Sequence, residues 1–321
     1  MKSLYRLLPL LSHDRYQSGQ KLAETLGVTR PTISNWVAEL GELGLDVYTV
    51  KGRGYRLAEP ISLLERATII DALNPELVQA LSVFDIQSDV DSTNRWVLDQ
   101  KPDPGRWSIC AADYQHQGRG RRGRSWRSPP GSSIMVSVAV RENLSGDALY
   151  CASLIVGVAV VRAIEAVIGV CVDLKWPNDI YYRDQKLGGI LCELQGNPLD
   201  QPVVVIGLGL NVNKGPAGLD RDVGCLADIH GQLVDRNRLL TEVLNHLHAV
   251  LSELQAPGGL DRLLAEWGRY DCVRDRDIRL IRGDAVETVT ARGIDGQGQL
   301  LVENPDGSVR AVNGGEVSVR W

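Results

Sequence analysis

The sequence predicts an α+β protein in three parts: an N-terminal winged helix-turn-helix, a central α/β domain with a mixed sheet, and a small C-terminal SH3-like barrel. The pattern of residues 1–57 is that of two short helices followed by a hairpin. Strand-like and helical segments alternate between residues 82 and 213, and short strands separated by Gly-containing turns follow residue 272. We therefore expect domains at 1–60, 82–271 and 272–321, with a connector at 61–81 that includes a helical segment near Leu63–Leu73.

The charge of the chain is divided unevenly between its two ends. Residues 1–57 carry eight Lys/Arg and five Asp/Glu, a net charge of +3, within a chain of 321 residues whose net charge is −5. A small basic module joined to a larger acidic body indicates that the N-terminal module binds nucleic acid and that the rest of the chain has a different activity.

The first helix pair fits the helix-turn-helix pattern. Leu22, Ala23 and Leu26 make the inner face of a first helix, and Gly27 suits the tight turn. Residues 33–40 repeat apolar side chains at helical spacing, so the polar positions between them face outward, toward base edges and phosphates. The residues that we assign to DNA contact are Ser18, Thr29, Arg30, Thr32, Ser34, Asn35, Lys51 and Arg53.

The wing is predicted from a strand-turn-strand pattern. Val47–Val50 and Tyr55–Leu57 read as strands, and the basic turn Lys51-Gly52-Arg53-Gly54 between them is placed to touch backbone phosphates. The alternative is a small helical protein–protein module with the same packing, and Thr29 suits a helix N-cap equally well.

Cysteine usage and hydropathy limit the class of protein. The six cysteines form no C-x-x-C pair and have no histidines at ligand spacing, which argues against a structural zinc site and a disulfide framework. We expect free thiols, no metal bound directly by protein ligands, and a cytoplasmic location. The most apolar stretch, Leu149–Val161, is too short to span a bilayer and is expected to lie in a buried helix over Ala148–Ile168.

Strands in the middle and at the end of the chain are predicted from apolar runs bounded by turn residues. In the middle they are Ser108–Ala112, Ser133–Val140, Val172–Lys175, Ile180–Tyr182, Gly189–Leu194 and Val203–Leu210. At the end they are Ile278–Ile281, Val286–Gly293, Leu300–Glu303, Arg310–Val312 and Val317–Trp321. The C-terminal barrel could serve only to stabilise the core, or it could contribute to ligand or partner binding.

A glycine- and arginine-rich loop is the most specific motif. Residues 113–127 contain five arginines alternating with three glycines, a composition suited to closing around an anion. The loop formally matches G-x-G-x-x-G, but Pro129-Pro130-Gly131 follows, so the helix that a dinucleotide-binding fold requires cannot start there. The alternative is a solvated basic loop or an arginine-rich arm that binds nucleic acid.

Three further polar motifs stand at the ends of predicted elements. Asp91-Ser92-Thr93-Asn94 precedes a helix and either caps it or binds a ligand. Lys175-Trp176-Pro177-Asn178-Asp179 ends an apolar strand. Glycines within 186–191 and 207–213 mark close approach of another backbone or of a ligand.

Together and in this order, the motifs resemble those of the biotin protein ligases that also act as biotin-operon repressors. The resemblance covers essentially the whole chain and implies a central domain similar to class II aminoacyl-tRNA synthetases. It implies ATP and biotin as substrates, Mg²⁺, a biotin carboxyl carrier protein and operator DNA as partners, and a homodimer when biotinyl-5′-AMP is bound.

The resemblance also implies roles for individual residues. Lys175 and Arg121 are the catalytic candidates, with Lys175 beside the reacting carboxylate and phosphate. The residues implied in binding biotin or biotinyl-AMP are Ser92, Thr93, Asn94, Gln115, Gly118, Arg119, Gly120, Arg121, Arg122, Trp126, Lys175, Gly189 and Asn211. Two alternatives remain open: a ligand-sensing repressor without catalysis, and a lipoate-type ligase.

Overall fold

The chain folds into a winged helix, a central seven-stranded sheet covered by helices, and a C-terminal five-stranded sheet. The computed structural model describes residues 3–100, 102–141, 146–196, 202–216, 222–314 and 318–320. This arrangement confirms the predicted fold class. Of the last predicted strand, Val317 and Trp321 lie outside the described residues.

The winged helix has a core of its own, built as the apolar spacing predicts. A 3-10 helix (Ser3–Leu10) precedes α1 (Gly19–Leu26) and α2 (Arg30–Glu42), and the wing is formed by β1 (Val47–Val50) and β2 (Gly54–Leu57). The buried residues include Leu22, Ala23, Leu26, Ile33, Val37 and Leu40.

The turn and caps of the helix pair follow the sequence signals. Gly27 ends α1 with φ 68°, a conformation that favours glycine. Thr29 caps α2 by accepting a hydrogen bond from the Thr32 amide at 3.3 Å, and Ser18 occupies the equivalent position before α1. Arg30, Ser34 and Asn35 remain exposed on the outer face, as predicted.

The segment between the winged helix and the central sheet is fixed by side chains of a later helix. It contains α3 (Arg66–Ala72) and α4 (Pro75–Ala80), so its first helix begins three residues later than Leu63. Asn237 accepts from the Glu65 amide at 2.7 Å and donates to the Leu63 carbonyl, while Asn245 accepts from the Asn74 amide at 2.8 Å.

The central sheet is mixed and has helices on both faces. Its strands are β3 (Leu81–Gln87), β4 (Trp107–Ala112), β7 (Ser133–Val140), β8 (Asp173–Lys175), β9 (Asp179–Tyr182), β10 (Gln185–Gln195) and β11 (Val203–Asn211). Their order in the sheet is β3-β4-β7-β11-β10-β9-β8; only the β3–β4 pair is parallel among the described strands. Between β4 and β7 the Gly-Arg loop forms a hairpin of β5 (Gly118–Arg119) and β6 (Ser125–Trp126).

The helices that cover the sheet are of two kinds. One face packs against the apolar α7 (Ala152–Ile168) and α9 (Arg236–Gln255), and the opposite face packs against the short α5 (Thr93–Leu98). The remaining described helices are α6 (Gly146–Tyr150), α8 (Leu226–His230) and α10 (Gly259–Trp267). Strand β3 was not predicted from the sequence, and the single predicted helix over Ala148–Ile168 is in fact α6 and α7, which Cys151 separates.

The C-terminal sheet is antiparallel, with the order β15-β14-β13-β12-β16. Its strands are β12 (Asp277–Arg282), β13 (Ala285–Ile294), β14 (Leu300–Glu303), β15 (Val309–Val312) and β16 (Ser318–Arg320). The Trp176 indole donates to the Gly298 carbonyl at 3.0 Å, which attaches this sheet to the turn after β8.

A buried ion pair joins the connector, the Gly-Arg segment and α9. Arg236 is fully buried, lies 2.8 Å from the Asp113 carboxylate, and also donates to the Ser62 and Ser133 carbonyls. In the described part of the chain, no helix combines the length and hydropathy needed to cross a bilayer.

Removing the cation of this pair should destabilise the protein strongly. We expect Arg236→Met to lower the free energy of unfolding by about 3–5 kcal/mol, because the Asp113 carboxylate would stay buried without its partner. Urea unfolding measures the loss. The matched control is Lys214→Met, which breaks the exposed Lys214–Asp46 pair and should cost no more than about 1 kcal/mol. Equal losses in the two variants would contradict the prediction.

Candidate active site

One cleft collects most of the predicted polar residues. It is open to solvent. Its walls are the start of α5, the Gly-Arg loop, the turn after β8, the glycine-containing parts of β10 and β11, and the end of β16. Separate stretches of chain, distant in sequence, therefore meet at one site.

The polar end of the cleft is a hydrogen-bonded cluster around the start of α5. Gln115 Oε1 accepts from the Thr93 amide at 2.8 Å and lies 3.2 Å from Thr93 Oγ1. Ser137 Oγ, which is fully buried on β7, lies 2.7 Å from Thr93 Oγ1 and 2.5 Å from Asn94 Oδ1. Ser92 stands at the N-cap of α5 but makes no capping bond through its side chain, so the ligand-binding alternative is favoured for this motif.

Two glycines of β11 make room for two of the site residues. A Cβ at Gly207 would lie 2.2 Å from Asn94 Oδ1, and one at Gly209 would lie 2.5 Å from the Trp126 ring. The sequence predicted close approach at these glycines, and the structure shows side chains of the site in the vacated space. Trp126 Nε1 is buried without a hydrogen-bond partner among the described groups.

An acidic side chain that was not among the predicted residues connects this cluster to the Gly-Arg loop. Glu193 Oε2 accepts from Asn94 Nδ2 at 2.7 Å and from Arg119 Nη2 at 3.1 Å. The guanidinium of Arg119 is therefore paired with a carboxylate of β10.

The Gly-Arg loop is a short hairpin that reaches the C-terminal sheet. Gly120 donates to the Arg124 carbonyl at 2.7 Å, and Arg122 takes a left-handed conformation with φ 57°. Arg121 donates to Asn178 Oδ1 at 3.0 Å and to the Gly314 carbonyl. The loop arginine thus bridges the turn after β8 and the C-terminal sheet.

Lys175 lies at the end of β8 and lines the cleft. Its side chain is only 4% exposed, and its amino group lies 5.0 Å from the centre of the Tyr181 ring. The pKa of Lys175 is lowered to about 8. Burial of the amino group is the larger cause, and the positive charge of Arg320 is the second. A lysine at the end of a strand is usually exposed to solvent, and Lys175 is not.

A second lysine lines the same wall. Lys186 is 8% exposed and forms an ion pair with Asp179, and a Cβ at Gly189 would meet both side chains. Asp179 is the one carboxylate among the described residues that line the cleft. Within the described residues, no group of three or more His, Cys, Asp or Glu side chains could hold a metal ion.

The structure brings together eleven of the thirteen predicted ligand-binding residues. The residues that line the cleft are Ser92, Thr93, Asn94, Gln115, Arg119, Gly120, Arg121, Arg122, Trp126, Lys175 and Gly189. Gly118 is not among the lining residues, and a Cβ there would sit 2.6 Å from the Trp126 carbonyl oxygen and 3.3 Å from Gln115 Nε2. Asn211 faces an adjoining cleft of about 680 Å³ instead, and donates to the Gly224 carbonyl at 3.1 Å.

Several residues at the site were not among those predicted from the sequence. Asn178, Asp179 and Lys186 stood within motifs that were singled out, so their position in a motif was a usable signal. Ser137 is a polar residue within an otherwise apolar run of a strand, which is also a signal. Glu193 and Arg320 reach the site through strand pairing and domain packing, and neither has a local sequence signal.

Comparison with known families divides the chain into the same three parts. Residues 4–56 match a helix-turn-helix domain, residues 86–211 match the biotin/lipoate A/B protein ligase family, and residues 275–320 match the biotin protein ligase C-terminal domain.

Known relatives cover nearly the full chain. The bifunctional ligase/repressor BirA of Escherichia coli is 37% identical over 98% of this chain and 96% of its own length. The biotin–[acetyl-CoA-carboxylase] ligase of Mycobacterium tuberculosis is 34% identical over 65% of this chain and 77% of its own. The biotin protein ligase of Aquifex aeolicus, solved with biotin and ATP, superimposes with a TM-score of 0.65 at 25% identity, covering 74% of this chain and 99% of that one.

The pKa of Lys175 predicts a pH dependence for anion binding. Because the lowered pKa is about 8, the ammonium is nearly fully charged at pH 7 and mostly neutral at pH 9. The affinity for inorganic pyrophosphate should therefore fall roughly tenfold between these two pH values, as the charged fraction falls. Isothermal titration calorimetry measures the affinity.

The control for this measurement is Lys175→Arg, which stays charged over the same range. Any change in the charge of pyrophosphate itself affects both proteins alike. The ratio of the wild-type affinity to the variant affinity, taken at each pH, therefore reports only the titration of Lys175. A ratio that is constant from pH 7 to pH 9 would show that Lys175 does not titrate in this window.

Proposed function

The chain belongs to the family of bifunctional ligase/repressors represented by BirA, and from that membership we propose how its residues join biotin to a carrier protein and control transcription. Its enzymatic activity is that of a biotin–protein ligase that uses biotin and ATP. In the proposal, biotinyl-5′-AMP is both the reaction intermediate and the signal for repression, and both activities take place in the cytoplasm, where ATP and DNA are available.

One observation supports the catalytic proposal above the others: one end of a single cleft is rich in amide and hydroxyl groups, and another part of it carries cations. The amide and hydroxyl groups of Thr93, Asn94 and Gln115 suit the ureido ring of biotin. Lys175, Arg121 and Arg122 line the other part of the cleft, where two anions must meet. Positive charge fixed in place before the reaction is the main catalytic requirement for joining two anions.

In the first step, a carboxylate oxygen of biotin attacks the α-phosphorus of ATP. The bond from that phosphorus to the bridging oxygen breaks, and pyrophosphate leaves. Lys175 donates to the oxygens that carry the developing charge, and its burial strengthens that interaction. Arg121 and Arg122 add positive charge from the loop.

In the second step, the amine of a lysine on the biotin carboxyl carrier protein attacks the acyl carbon of biotinyl-AMP. An amide forms, AMP leaves, and the amine loses a proton. The mixed anhydride reacts readily with water, so the loop must retain it between the steps. Arg121, held between Asn178 and the Gly314 carbonyl, is suited to that retention.

The adenine of the nucleotide is assigned to Trp126 and the adjoining cleft. Trp126 and Lys186 line both clefts, so a ligand can extend from one into the other. Asn211 has a buried Oδ1 without a hydrogen-bond partner among the described groups and can accept a bond there. We therefore assign Asn211 to the nucleotide and not to biotin.

Mg²⁺ fits this site only together with the nucleotide. Magnesium in such sites is usually held by substrate phosphates and one or two carboxylates, and Asp179 is the carboxylate within reach. When bound, the ion neutralises phosphate charge.

Repression is assigned to the winged helix acting as a dimer. The exposed residues of α2 suit base edges, and Lys51 and Arg53 on the wing suit phosphates. Dimerisation on biotinyl-AMP would bring two such modules onto paired half-sites, with the ordering of the loops favouring the dimer.

The catalytic proposal predicts a defect in adenylate formation. Lys175→Ala should slow pyrophosphate release from biotin and ATP by roughly tenfold or more, because a charge-assisted contact to the reacting groups is lost. The assay follows labelled pyrophosphate, with lipoate replacing biotin as a test of substrate class. Wild-type rates in the Lys175→Ala variant would remove this lysine from the mechanism, and faster turnover of lipoate would favour a lipoate ligase.

The DNA-binding proposal predicts two different defects on a site selected from random duplexes. Lys51→Ala should weaken binding to all sequences alike and reduce the slope of log affinity against log salt by about 1. Asn35→Ala should reduce discrimination between the selected site and its variants by about 1–3 kcal/mol at the contacted base pair. Gel shifts with and without biotin and ATP measure both, and binding unaffected by the two substrates would contradict the regulatory role.

A further inference from the structure

We propose that Glu193 is a positioning residue for biotin: its carboxylate determines which way round the Asn94 amide lies and holds Arg119 of the Gly-Arg loop against that amide. The inference rests on the proposed function, in which Asn94 contacts the ureido ring. It adds a residue that belongs to none of the sequence motifs.

The contact between the two side chains is short, and it joins a buried amide to a partly exposed carboxylate. Asn94 is 5% exposed and lies in the first turn of α5, while Glu193 lies on β10 opposite Val205 of β11. Asn94 Nδ2 donates to Glu193 Oε2 at 2.7 Å. The amide is held above Gly207, where a Cβ would lie 3.1 Å from its nitrogen and 2.2 Å from its oxygen.

The carboxylate imposes a direction on this hydrogen bond. An ionised carboxylate only accepts hydrogen bonds, so Asn94 must present its NH₂ group to Glu193. Its carbonyl oxygen then accepts from the Ser137 hydroxyl at 2.5 Å, and Asn94 is among the residues that line the cleft. Ser137 cannot impose that direction, because a hydroxyl group donates or accepts equally well. In the proposed function this oxygen accepts from a ureido N–H, whereas a reversed amide would present a donor in its place.

The same carboxylate oxygen also holds the loop. Glu193 Oε2 accepts from Arg119 Nη2 at 3.1 Å, and Arg119 is in the first strand of the Gly-Arg hairpin. A half-exposed ion pair contributes little stability alone. Here it shares its oxygen with the buried amide, so the position of the loop and the orientation of Asn94 depend on one group.

Exchanging the amide and the carboxylate tests the inference. Asn94→Asp puts two carboxylates in contact and should weaken biotin binding at least tenfold. Glu193→Gln permits either orientation of the Asn94 amide and removes the negative charge that pairs with Arg119. It should therefore weaken biotin binding roughly three- to tenfold. In the double variant, Asn94→Asp with Glu193→Gln, the amide now on β10 donates to the carboxylate now on α5, whose other oxygen can still accept a hydrogen bond. The double variant should therefore bind biotin more tightly than Asn94→Asp alone.

Two further readouts separate positioning from folding. In Glu193→Gln, KM for biotin should rise by a larger factor than KM for ATP, because Asn94 is the side chain that contacts biotin in the proposed function. The midpoint of thermal unfolding should stay close to that of wild type. The control is Glu303→Gln, which removes a carboxylate paired with Arg292 in the C-terminal sheet and should leave both KM values unchanged.

The outcomes distinguish this inference from the proposed function. Calorimetry in which wild type fails to bind biotin would reject the proposed function itself. Wild-type binding together with a double variant no better than Asn94→Asp would overturn only the role of Glu193. If Asn94→Asp does not fold, the Glu193→Gln kinetics decide alone, and an unchanged KM for biotin overturns the inference.

Discussion

The absence of side chains at Gly207 and Gly209 is the constraint on which the cleft depends. Asn94 and Trp126 occupy the space in which β-carbons would otherwise stand, 2.2 Å and 2.5 Å from them. Because the two glycines are two residues apart on β11, they lie on the same face of the strand. One strand therefore fixes the positions of both Asn94 and Trp126. Any larger residue at either position would push a site residue out of the cleft.

The C-terminal sheet completes the cleft from a distance in sequence. Trp176 bonds to the Gly298 carbonyl, Arg121 bonds to the Gly314 carbonyl, and Arg320 lowers the pKa of Lys175. The sheet is therefore part of the electrostatic environment of the reacting groups. This favours a role in ligand binding over a purely stabilising one, the two alternatives that the sequence left open.

The parts of the molecule that follow from short-range patterns could be predicted from the sequence. The helix pair with Gly27 and Thr29, the wing, the buried strands and the motif residues all have local signals, and most residues implied by the family resemblance line one cleft. The helix break at Cys151 has no glycine or proline to mark it, and β3 has an irregular apolar pattern. Glu193, Arg320 and the separation of Asn211 from the main cleft depend on strand register and on packing between sheets, which local patterns do not determine.

The hydrogen bonds that hold the segment after the winged helix determine where the protein can be cut into fragments. Arg236 and Asn237 bond to the Ser62 and Leu63 carbonyls, Asp113 and Asn237 accept from the Leu64 and Glu65 amides, and Asn245 accepts from the Asn74 amide. A catalytic fragment that starts at residue 82 would leave these side chains without those partners in the interior. A catalytic fragment should therefore begin before Ser62. A protease could cleave the chain between 62 and 74 only after these hydrogen bonds have broken.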